Sequence, residues 1–281
     1  MNLIQAILMG IVQGLSEFLP ISSSAHLVFT SNFYKVMQNI PIVQSSSEEV
    51  FFDIMVHLGT LIAVLIFFRK DVLNILKAMW HAIKTKDWSD KEAKLGLYIV
   101  VGTILTIVLA LPINEVAEKL VFRPDIVGGL LFITGFALLY SEYKSKKLEE
   151  KKDNVDLKTS VFIGLAQGLA ALPGFSRSGW TIATGLFMGL DRVTAARYSF
   201  LLSIPIILGA SMVYPLVKID VHEALTYNWT AIWAGTIVSG IVGYLCIKYF
   251  MKFISKFSLA IFGYYCILAG LGAVAFFSYY G

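Results

Sequence analysis

The chain has 281 residues, of which 57% are hydrophobic and 15% are charged, and its mean hydropathy is +0.73. A soluble globular domain carries about 25% charged residues, so the composition excludes that class and indicates a membrane protein. The net charge of +4 lies in separate basic clusters rather than in one patch, which does not support a nucleic-acid partner.

Six long apolar runs predict membrane-spanning helices. They cover residues 51–69, 95–113, 126–143, 197–216, 229–248 and 257–279. Each run is long enough to cross a hydrocarbon core of ~30 Å, and a helix satisfies its own backbone hydrogen bonds in lipid. We therefore expect an all-α polytopic membrane protein whose main partner is the lipid bilayer.

Two further apolar segments, residues 3–37 and 160–190, are each interrupted by a polar loop that contains proline. The first loop reads Pro20-Ile-Ser-Ser-Ser24, and the second reads Pro173-Gly-Phe-Ser-Arg-Ser-Gly179. A re-entrant helix, a loop and a returning helix describe each segment better than a single span. Such backbone is tolerated at membrane depth only where protein or a water-filled cavity surrounds it.

The two interrupted segments also resemble each other, since Gly10-Ile-Val-Gln-Gly-Leu15 matches Gly164-Leu-Ala-Gln-Gly-Leu169. We interpret residues 1–281 as one membrane domain with a first repeat at 1–143, a cytoplasmic linker at 144–158 and a second repeat at 159–281. Each repeat holds one re-entrant pair and three spans. Because three is odd, the repeats have inverted topology, and broken helices in inverted repeats are typical of a midplane site for an anionic group.

Lysine and arginine concentrate in residues 69–94 and 144–158, which predicts that these segments face the cytoplasm. Residues 39–50, 114–125 and 218–228 carry fewer basic residues or an acidic balance, and they are expected outside.

The first interrupted segment carries candidate reactive groups. Gln13 and Glu17 are four residues apart and share a helical face, and a carboxylate inside a bilayer marks a functional site by default. Ser22, Ser23 and the next serine, followed by His26, offer candidate nucleophiles beside a candidate acid or base. Serines also pack membrane helices together, so a purely structural role is the alternative for each hydroxyl.

The second loop carries a candidate anion site around Arg177. A planar guanidinium suits bidentate phosphate binding. Gly174 allows close backbone approach, and Ser176, Ser178 and Thr181 can donate hydrogen bonds at a helix N-terminus. The alternative is a structural ion pair between this arginine and the glutamate of the first loop, and both roles can hold.

Asp53 and His57 share a face of the first predicted span, but no nucleophile accompanies them. From the sequence, the first interpretation of Asp53 is a membrane-interface or helix-capping position, and a supporting role in the site is the alternative.

At its two loops the sequence resembles the undecaprenyl pyrophosphate phosphatase family, the bacitracin-resistance type of membrane phosphatase, over essentially the whole chain. The family's first motif, Glu or Gln, three residues, then Glu, corresponds to Gln13 and Glu17. Its Pro-x-Ser-Ser element with a histidine corresponds to residues 20–26. Its Pro-Gly-x-Ser-Arg-Ser-x-x-Thr element corresponds to residues 173–181, with every fixed position present.

The resemblance implies hydrolysis of undecaprenyl pyrophosphate to undecaprenyl phosphate and inorganic phosphate. This reaction recycles the lipid carrier of cell-wall synthesis in a bacterial plasma membrane and confers bacitracin resistance. It also implies a divalent cation, Mg²⁺ or Ca²⁺, held by Glu17 and Gln13, and a site that opens to the extracytoplasmic face. Gln13 departs from the form of the motif with two acids, because it supplies no negative charge. A homodimer is also compatible with the sequence.

As a hypothesis, Arg177 and its loop bind the phosphates while Ser23 attacks the terminal phosphorus, with His26 or Glu17 removing the serine proton. Direct attack by water activated by Glu17 and formation of a phosphohistidine at His26 are alternative routes. The competing class is a transporter of polyprenyl phosphates or other anions, since inverted repeats around a midplane site are also how carriers are built.

Overall fold

The computed structural model describes residues 1–38, 42 and 46–280. Within these residues the regular elements are twelve helices, in chain order α1 (Leu3–Ser16), α2 (Ser23–Met37), α3 (Ser47–Phe67), α4 (Arg69–Thr85), α5 (Lys91–Leu120), α6 (Pro124–Lys146), α7 (Leu157–Leu169), α8 (Arg177–Phe187), α9 (Arg192–Lys218), α10 (Val221–Ala224), α11 (Trp229–Ile254) and α12 (Ala260–Tyr280).

The six predicted spans are confirmed. In the described part of the chain, α3, α5, α6, α9, α11 and α12 are the six helices that are long and apolar enough to cross a membrane. A capping box begins α3, because the Glu49 backbone N–H donates to Ser46 Oγ at 3.2 Å and the Ser46 N–H donates to the Glu49 carboxylate at 3.3 Å. Residues 39–41 and 43–45 of the predicted outer segment 39–50 lie outside the described residues.

Both interrupted segments form two short helices joined by a loop, as the sequence predicts. Helices α1 and α2 have 14 and 15 residues, and α7 and α8 have 13 and 11. At a rise of 1.5 Å per residue, none reaches more than about 23 Å, which is short of a hydrocarbon core of ~30 Å. The short helices therefore do not cross the whole helix bundle, and the loops that join them lie within its thickness.

The short helices pack between the long ones and bring the two loops together. Helix α1 packs mainly on α11, α7 packs mainly on α5, and α8 packs against α6, α7 and α9. Beneath the first loop, Phe18 is fully buried and its ring meets Phe200 of α9 edge to face, with centroids 5.4 Å apart. This aromatic contact anchors the residues that follow α1.

The sequence interpretation did not predict helix α4 and assigned its residues to a basic cytoplasmic segment. It follows α3 after a single residue, Phe68, and packs chiefly against α5. The cluster of basic residues at 69–94 therefore includes an ordered helix of 17 residues.

Helix α7 begins with a cap whose strength depends on pH. The Thr159 N–H donates to Asp156 Oδ1 at 2.7 Å, and Lys152 Nζ donates to Oδ2 at 2.9 Å. These hydrogen bonds, chiefly that from Thr159, lower the pKa of Asp156 to about 2. A lowered pKa in the folded state stabilises the protein above the unfolded value of about 4. That stabilisation is lost as the pH falls from about 4 towards 2.

We therefore expect Asp156→Ala to lower the free energy of unfolding by about 1 kcal/mol at neutral pH, the usual effect of removing a cap. The side chain is 47% exposed, so solvent screening limits the contribution of its ion pair. Asp156→Asn should keep most of the cap but lose the pH dependence. Thermal unfolding in detergent at pH 7 and near pH 3 measures both, and an Asp156→Asn variant with unchanged pH dependence would contradict the assignment.

Candidate active site

A cavity of about 730 Å³ lies between the two loops. Its wall combines polar and charged groups from the first loop and from α2 and α3 with Arg177 at the start of α8. Apolar side chains of α2, α3 and α9 complete it. A concave site with a few convergent polar groups in an apolar wall is the usual form of a small-molecule or lipid-headgroup site.

Glu17 lies at the centre of the polar wall, one residue past the end of α1, and is 6% exposed. Its carboxylate accepts hydrogen bonds from Ser23 Oγ at 2.6 Å and from Gln13 Nε2 at 3.0 Å, and it forms an ion pair with Arg177. A buried carboxylate is stable only when it is paired and hydrogen-bonded. The three partners that the sequence marked as site residues meet that requirement together.

The Ser23 hydroxyl is oriented by the turn that begins α2. Ser22 caps this helix with a backbone φ of 69°, a left-handed conformation rare for a residue other than glycine. Its Oγ accepts from the Ala25 N–H at 3.3 Å and lies 3.1 Å from Ser24 Oγ. In this turn Ser22 and Ser24 bond to each other, and Ser23 bonds to Glu17. A hydroxyl bonded to a carboxylate is the arrangement of a nucleophile and a base.

His26 is held outside the cavity wall. Its Nδ1 donates to the Ser22 carbonyl at 2.8 Å, and its Nε2 is 2.7 Å from the hydroxyl of Tyr265 in α12. The two rings stack with centroids 5.7 Å apart. The structure therefore does not bring His26 to the Ser23 hydroxyl, and it connects His26 to the strained turn. The sequence carried no signal for Tyr265, one tyrosine among many apolar residues.

Arg177 is the first residue of α8, so the helix N-terminus points towards the first loop. One of its terminal nitrogens, Nη2, pairs with Glu17 Oε1. The other, Nη1, is buried and has no hydrogen-bond partner in the described part of the chain. A buried guanidinium nitrogen without a partner is rare. At the wall of a cavity, it is a donor available to an anionic ligand.

The rest of the second loop holds Arg177 in place. Gly174 has φ +102°, and a Cβ there would lie 2.5 Å from the carbonyl oxygen of Val127, so only glycine fits. Ser176 caps α8 by accepting from the Gly179 N–H at 3.0 Å, and Ser178 donates to the Leu19 carbonyl at 3.0 Å.

Thr181 completes this support from the first turn of α8. It donates to the carbonyl of Arg177 at 2.8 Å, and its Oγ1 lies 2.6 Å from Ser199 Oγ. The structure thus directs the hydroxyls of Ser176, Ser178 and Thr181 into the protein, where they fix the loop. It does not place them in the cavity wall.

Asp53 and His57 of α3 lie at the cavity, whereas the sequence interpretation favoured an interface or capping position for Asp53. Both line the cavity, and His57 Nε2 is 3.7 Å from Glu17 Oε2. The His57 ring is oriented by its Nδ1, which donates to the Asp53 carbonyl at 2.7 Å. Asp53 does not cap α3, because Ser46 does. The signal was present in the sequence: two polar residues four apart in an apolar helix, as for Gln13 and Glu17.

The described residues around Glu17 offer a carboxylate and an amide oxygen to a divalent cation. Gln13 Oε1 is buried and lacks a hydrogen-bond partner among the described residues, and it belongs to the side chain that donates to Glu17. The described part of the chain contains no group of three or more His, Cys, Asp or Glu side chains that could hold a metal. One carboxylate and one amide oxygen fit a hard cation such as Mg²⁺, which keeps several waters and binds substrate phosphates. They do not form a cage made of protein ligands alone.

Known proteins resemble this chain over almost its whole length. The family model described as "Bacitracin resistance protein BacA" matches residues 6–272. The chain is 41% identical to an undecaprenyl-diphosphatase of Methanobrevibacter smithii over 280 residues, covering 96% of each chain. It is 40% identical to an undecaprenyl-diphosphatase of Korarchaeum cryptofilum and 36% identical to undecaprenyl-diphosphatase 1 of Pseudoalteromonas translucida. In both cases the match covers 98% of this chain and 99% of the relative.

The family match at residues 6–272 contains both loops, five of the six long helices and the first part of α12. This chain is therefore a member of the bacitracin resistance protein BacA family.

Proposed function

We propose that this membrane protein hydrolyses undecaprenyl pyrophosphate to undecaprenyl phosphate and inorganic phosphate, which recycles the lipid carrier of cell-wall synthesis and confers resistance to bacitracin. One observation carries the proposal: a serine bonded to a buried carboxylate lines the same cavity as Arg177, whose Nη1 has no hydrogen-bond partner in the described part of the chain. Relatives over the full length of the chain are named for this activity.

The binding step uses positive charge at Arg177. In the structure the guanidinium pairs with Glu17 through Nη2, and Nη1 has no hydrogen-bond partner among the described residues. The pyrophosphate binds at this side, and its oxygens accept the hydrogen bonds that the guanidinium offers as a planar fork. Because the guanidinium then shares its charge with the phosphate, the carboxylate is released to accept a proton.

The chemical step begins at Ser23. Its Oγ attacks the terminal phosphorus as Glu17 accepts the hydroxyl proton, the new O–P bond forms, and the bond to the bridging oxygen breaks. Undecaprenyl phosphate leaves with the electrons of that bond, and water then cleaves the phosphoserine to release inorganic phosphate. Phosphoryl transfer depends mainly on positioning and on positive charge around the transferred group, which this site supplies through Arg177.

A divalent cation, Mg²⁺ or Ca²⁺, is part of the proposal. Glu17 and Gln13 Oε1 would hold it, and when bound it would add positive charge next to the phosphate oxygens. Gln13 also donates to the carboxylate through Nε2, so it orients Glu17 whether or not an ion is present.

The apolar part of the cavity wall suits the first isoprene units of the lipid. Leu27 and Val28 of α2, Ile54 of α3 and Ile206 and Ile207 of α9 line the cavity beside the polar groups. The pyrophosphate can therefore reach Ser23 while the prenyl chain stays in an apolar environment.

The cavity is proposed to open to the extracytoplasmic face of a bacterial plasma membrane. Glu49, Glu118 and Phe122, which line it, belong to the segments 39–50 and 114–125 that are poor in basic residues. Among the described residues, the basic segments 69–94 and 144–158 contribute nothing to its wall. The positive-inside rule then assigns the mouth to the outer side.

Cysteine labelling in intact cells tests this orientation. We expect Ser31→Cys, at the cavity, to react with a membrane-impermeant maleimide added outside, and Thr85→Cys, in the basic segment, to react only after permeabilisation. The native Cys246 and Cys266 are buried and give a low background. Labelling of Thr85→Cys but not of Ser31→Cys in intact cells would contradict the orientation.

The two halves are further proposed to be inverted repeats, and matching glycines support this. A Cβ on Gly10 of α1 would lie 2.5 Å from the carbonyl oxygen of Gly235 in α11, and a Cβ on Gly164 of α7 would lie 2.6 Å from that of Gly102 in α5. Each re-entrant pair thus packs, through the same position of its motif, on the second long helix of the other half. Such an exchange is expected of a pseudo-twofold arrangement.

Phosphate release by the purified protein separates this function from that of a carrier. We expect inorganic phosphate to appear when the protein in detergent is given undecaprenyl pyrophosphate. A carrier, which changes no covalent bond, would release none. Transport of the intact pyrophosphate across vesicles without phosphate release would contradict the proposal.

A further inference from the structure

Helix α4 presents three distinct faces around its axis. The first packs on the protein: Ile75 and Ala82 are buried at 6% and 1% exposure, and Val72 and Met79 pack partly buried against the same core. These positions follow the spacing of one helical face. They account for the attachment of α4 to the rest of the molecule.

An ion-pair cluster fixes the rotation of α4 about its axis. Arg197 of α9 donates from Nε to Asp71 Oδ1 at 2.7 Å, and its Nη2 is 3.5 Å from Glu92 Oε1 at the start of α5. One guanidinium therefore ties α4 to two membrane-spanning helices. The orientation of the remaining faces is set by these contacts.

The second face of α4 is apolar and exposed. It consists of Leu73, Leu76, Trp80 and Ile83, each between 53% and 62% exposed. Their spacing of three, four and three residues places them in one stripe, beside the face that packs on the protein. Large side chains in a contiguous exposed stripe indicate a contact surface.

The third face is basic. Lys70, Lys77 and Lys84 recur every seven residues and so form a row along the far edge of the apolar stripe. The row meets the stripe directly, because Lys84 Nζ lies 4.7 Å from the centre of the Trp80 ring. Asn74 and His81 lie beyond the lysines and are exposed.

Both ends of α4 are tied to the same surface of the membrane. The spanning helix α3 ends one residue before it, and the spanning helix α5 begins at Lys91 after a short connection. The neighbouring ends of these spans carry exposed apolar side chains of their own, Ile66 on α3 and Leu97 on α5. The apolar stripe of α4 thus lies next to surfaces that face lipid.

We propose that α4 is a membrane-interface helix that binds anionic phospholipids. Its apolar stripe inserts among the acyl chains, and its row of lysines contacts the anionic headgroups. An apolar face with tryptophan, bordered by lysines and then by neutral polar residues, is the pattern of a helix that lies in the plane of a bilayer. The surface is separate from the cavity, and the inference does not depend on the reaction proposed above.

Tryptophan fluorescence tests the position of the stripe. The full-length protein is placed in vesicles of phosphatidylcholine and phosphatidylglycerol, and the emission of Trp80 is obtained as the difference between the native protein and Trp80→Phe. We expect this emission to be strongly quenched by brominated phospholipid and weakly by aqueous acrylamide. The opposite result, with strong quenching by acrylamide only, would overturn the proposal and leave the stripe for a protein partner or a second copy.

Lipid retention tests the lysines. Purified protein in detergent is equilibrated with equal amounts of phosphatidylglycerol and phosphatidylcholine, and the lipids that stay bound are measured by native mass spectrometry. Each lysine near a membrane surface favours anionic lipid roughly fivefold. We therefore expect the variant Lys70→Gln, Lys77→Gln, Lys84→Gln to lower the retained ratio of the two lipids at least about tenfold.

The matched control removes three charges elsewhere, at Lys144, Lys146 and Lys147 near the end of α6. It should change the ratio much less than the α4 variant. An equal decrease in both variants would show a general charge effect and overturn the assignment to α4, as would an unchanged ratio in the α4 variant. Phosphate release in detergent should stay near normal in both, which shows that the variants fold.

Discussion

Replacing Arg177 with alanine is expected to lower kcat/KM for phosphate release by about 10³-fold, the effect of removing an arginine that stabilises a transferring phosphoryl group. The variant loses both the guanidinium at the cavity wall and the charge opposite Glu17. Arg177→Lys should recover only part of the rate, because an ammonium group cannot donate as a planar fork. Release of inorganic phosphate in detergent measures the effect.

A second, partly buried arginine provides the control. Arg192 donates to the Glu142 carboxylate through Nε and Nη2, both at 2.7 Å, but it does not line the cavity. Arg192→Ala therefore breaks a comparable ion pair and should lower stability, while the folded fraction keeps its turnover. If Arg177→Ala retained more than about a tenth of the native kcat/KM, binding of the pyrophosphate would have to be assigned to other residues.

Replacing Ser23 with alanine is expected to lower kcat by about 10⁴-fold or more, since a covalent route ends when its nucleophile is removed. Ser24→Ala is the matched control, because Ser24 also lines the cavity but bonds to Ser22 Oγ rather than to Glu17. It should keep most of its activity. Near-normal turnover of Ser23→Ala would exclude Ser23 as the nucleophile and favour attack by water.

The same geometry separates Glu17 from His26 as the proton acceptor. Glu17 accepts the Ser23 hydroxyl hydrogen bond directly, whereas both ring nitrogens of His26 are bound to Ser22 and Tyr265. His26 is therefore a positioning residue for the turn in this account. A phosphohistidine at His26 would require the ring to leave both partners before it could reach the phosphate.

Much of the fold followed from the sequence because the membrane imposes simple rules. The length of the apolar runs predicted six spans, and proline with polar residues predicted the breaks after α1 and α7. The site was also visible in part, since Glu17 and Arg177 are charges in otherwise apolar segments and need a partner. Their contact joins residues 160 positions apart.

Other features depend on packing that local patterns do not contain. From the sequence, Ser176, Ser178 and Thr181 were expected to donate hydrogen bonds to phosphate. In the structure, carbonyl and hydroxyl groups of the surrounding protein bind these side chains, which therefore point away from the cavity. The role of His57 depends on which face of α3 meets α1. Helix α4 was not predicted, because its lysines were interpreted only as an indication of topology and its amphipathic pattern was overlooked.

The two loops carry different groups although the helices that precede them share a motif. The first carries Glu17 and Ser23, which are proposed to react, and the second carries Arg177 at a helix N-terminus. An ion pair joins the two loops in the structure. In the proposed mechanism, a substrate that competes for the guanidinium also frees the carboxylate, so that binding and activation of the serine are coupled.

The most direct test of this account measures binding and turnover in parallel. Binding is followed with a polyprenyl pyrophosphate analogue in which a methylene group replaces the bridging oxygen, and turnover is followed by phosphate release from the natural lipid. We expect Ser23→Ala to bind the analogue with a near-native Kd but to release no phosphate, and Arg177→Ala to lose both. Native affinity in Arg177→Ala, or phosphate release by Ser23→Ala, would contradict the central claim that one cluster binds through Arg177 and reacts through Ser23.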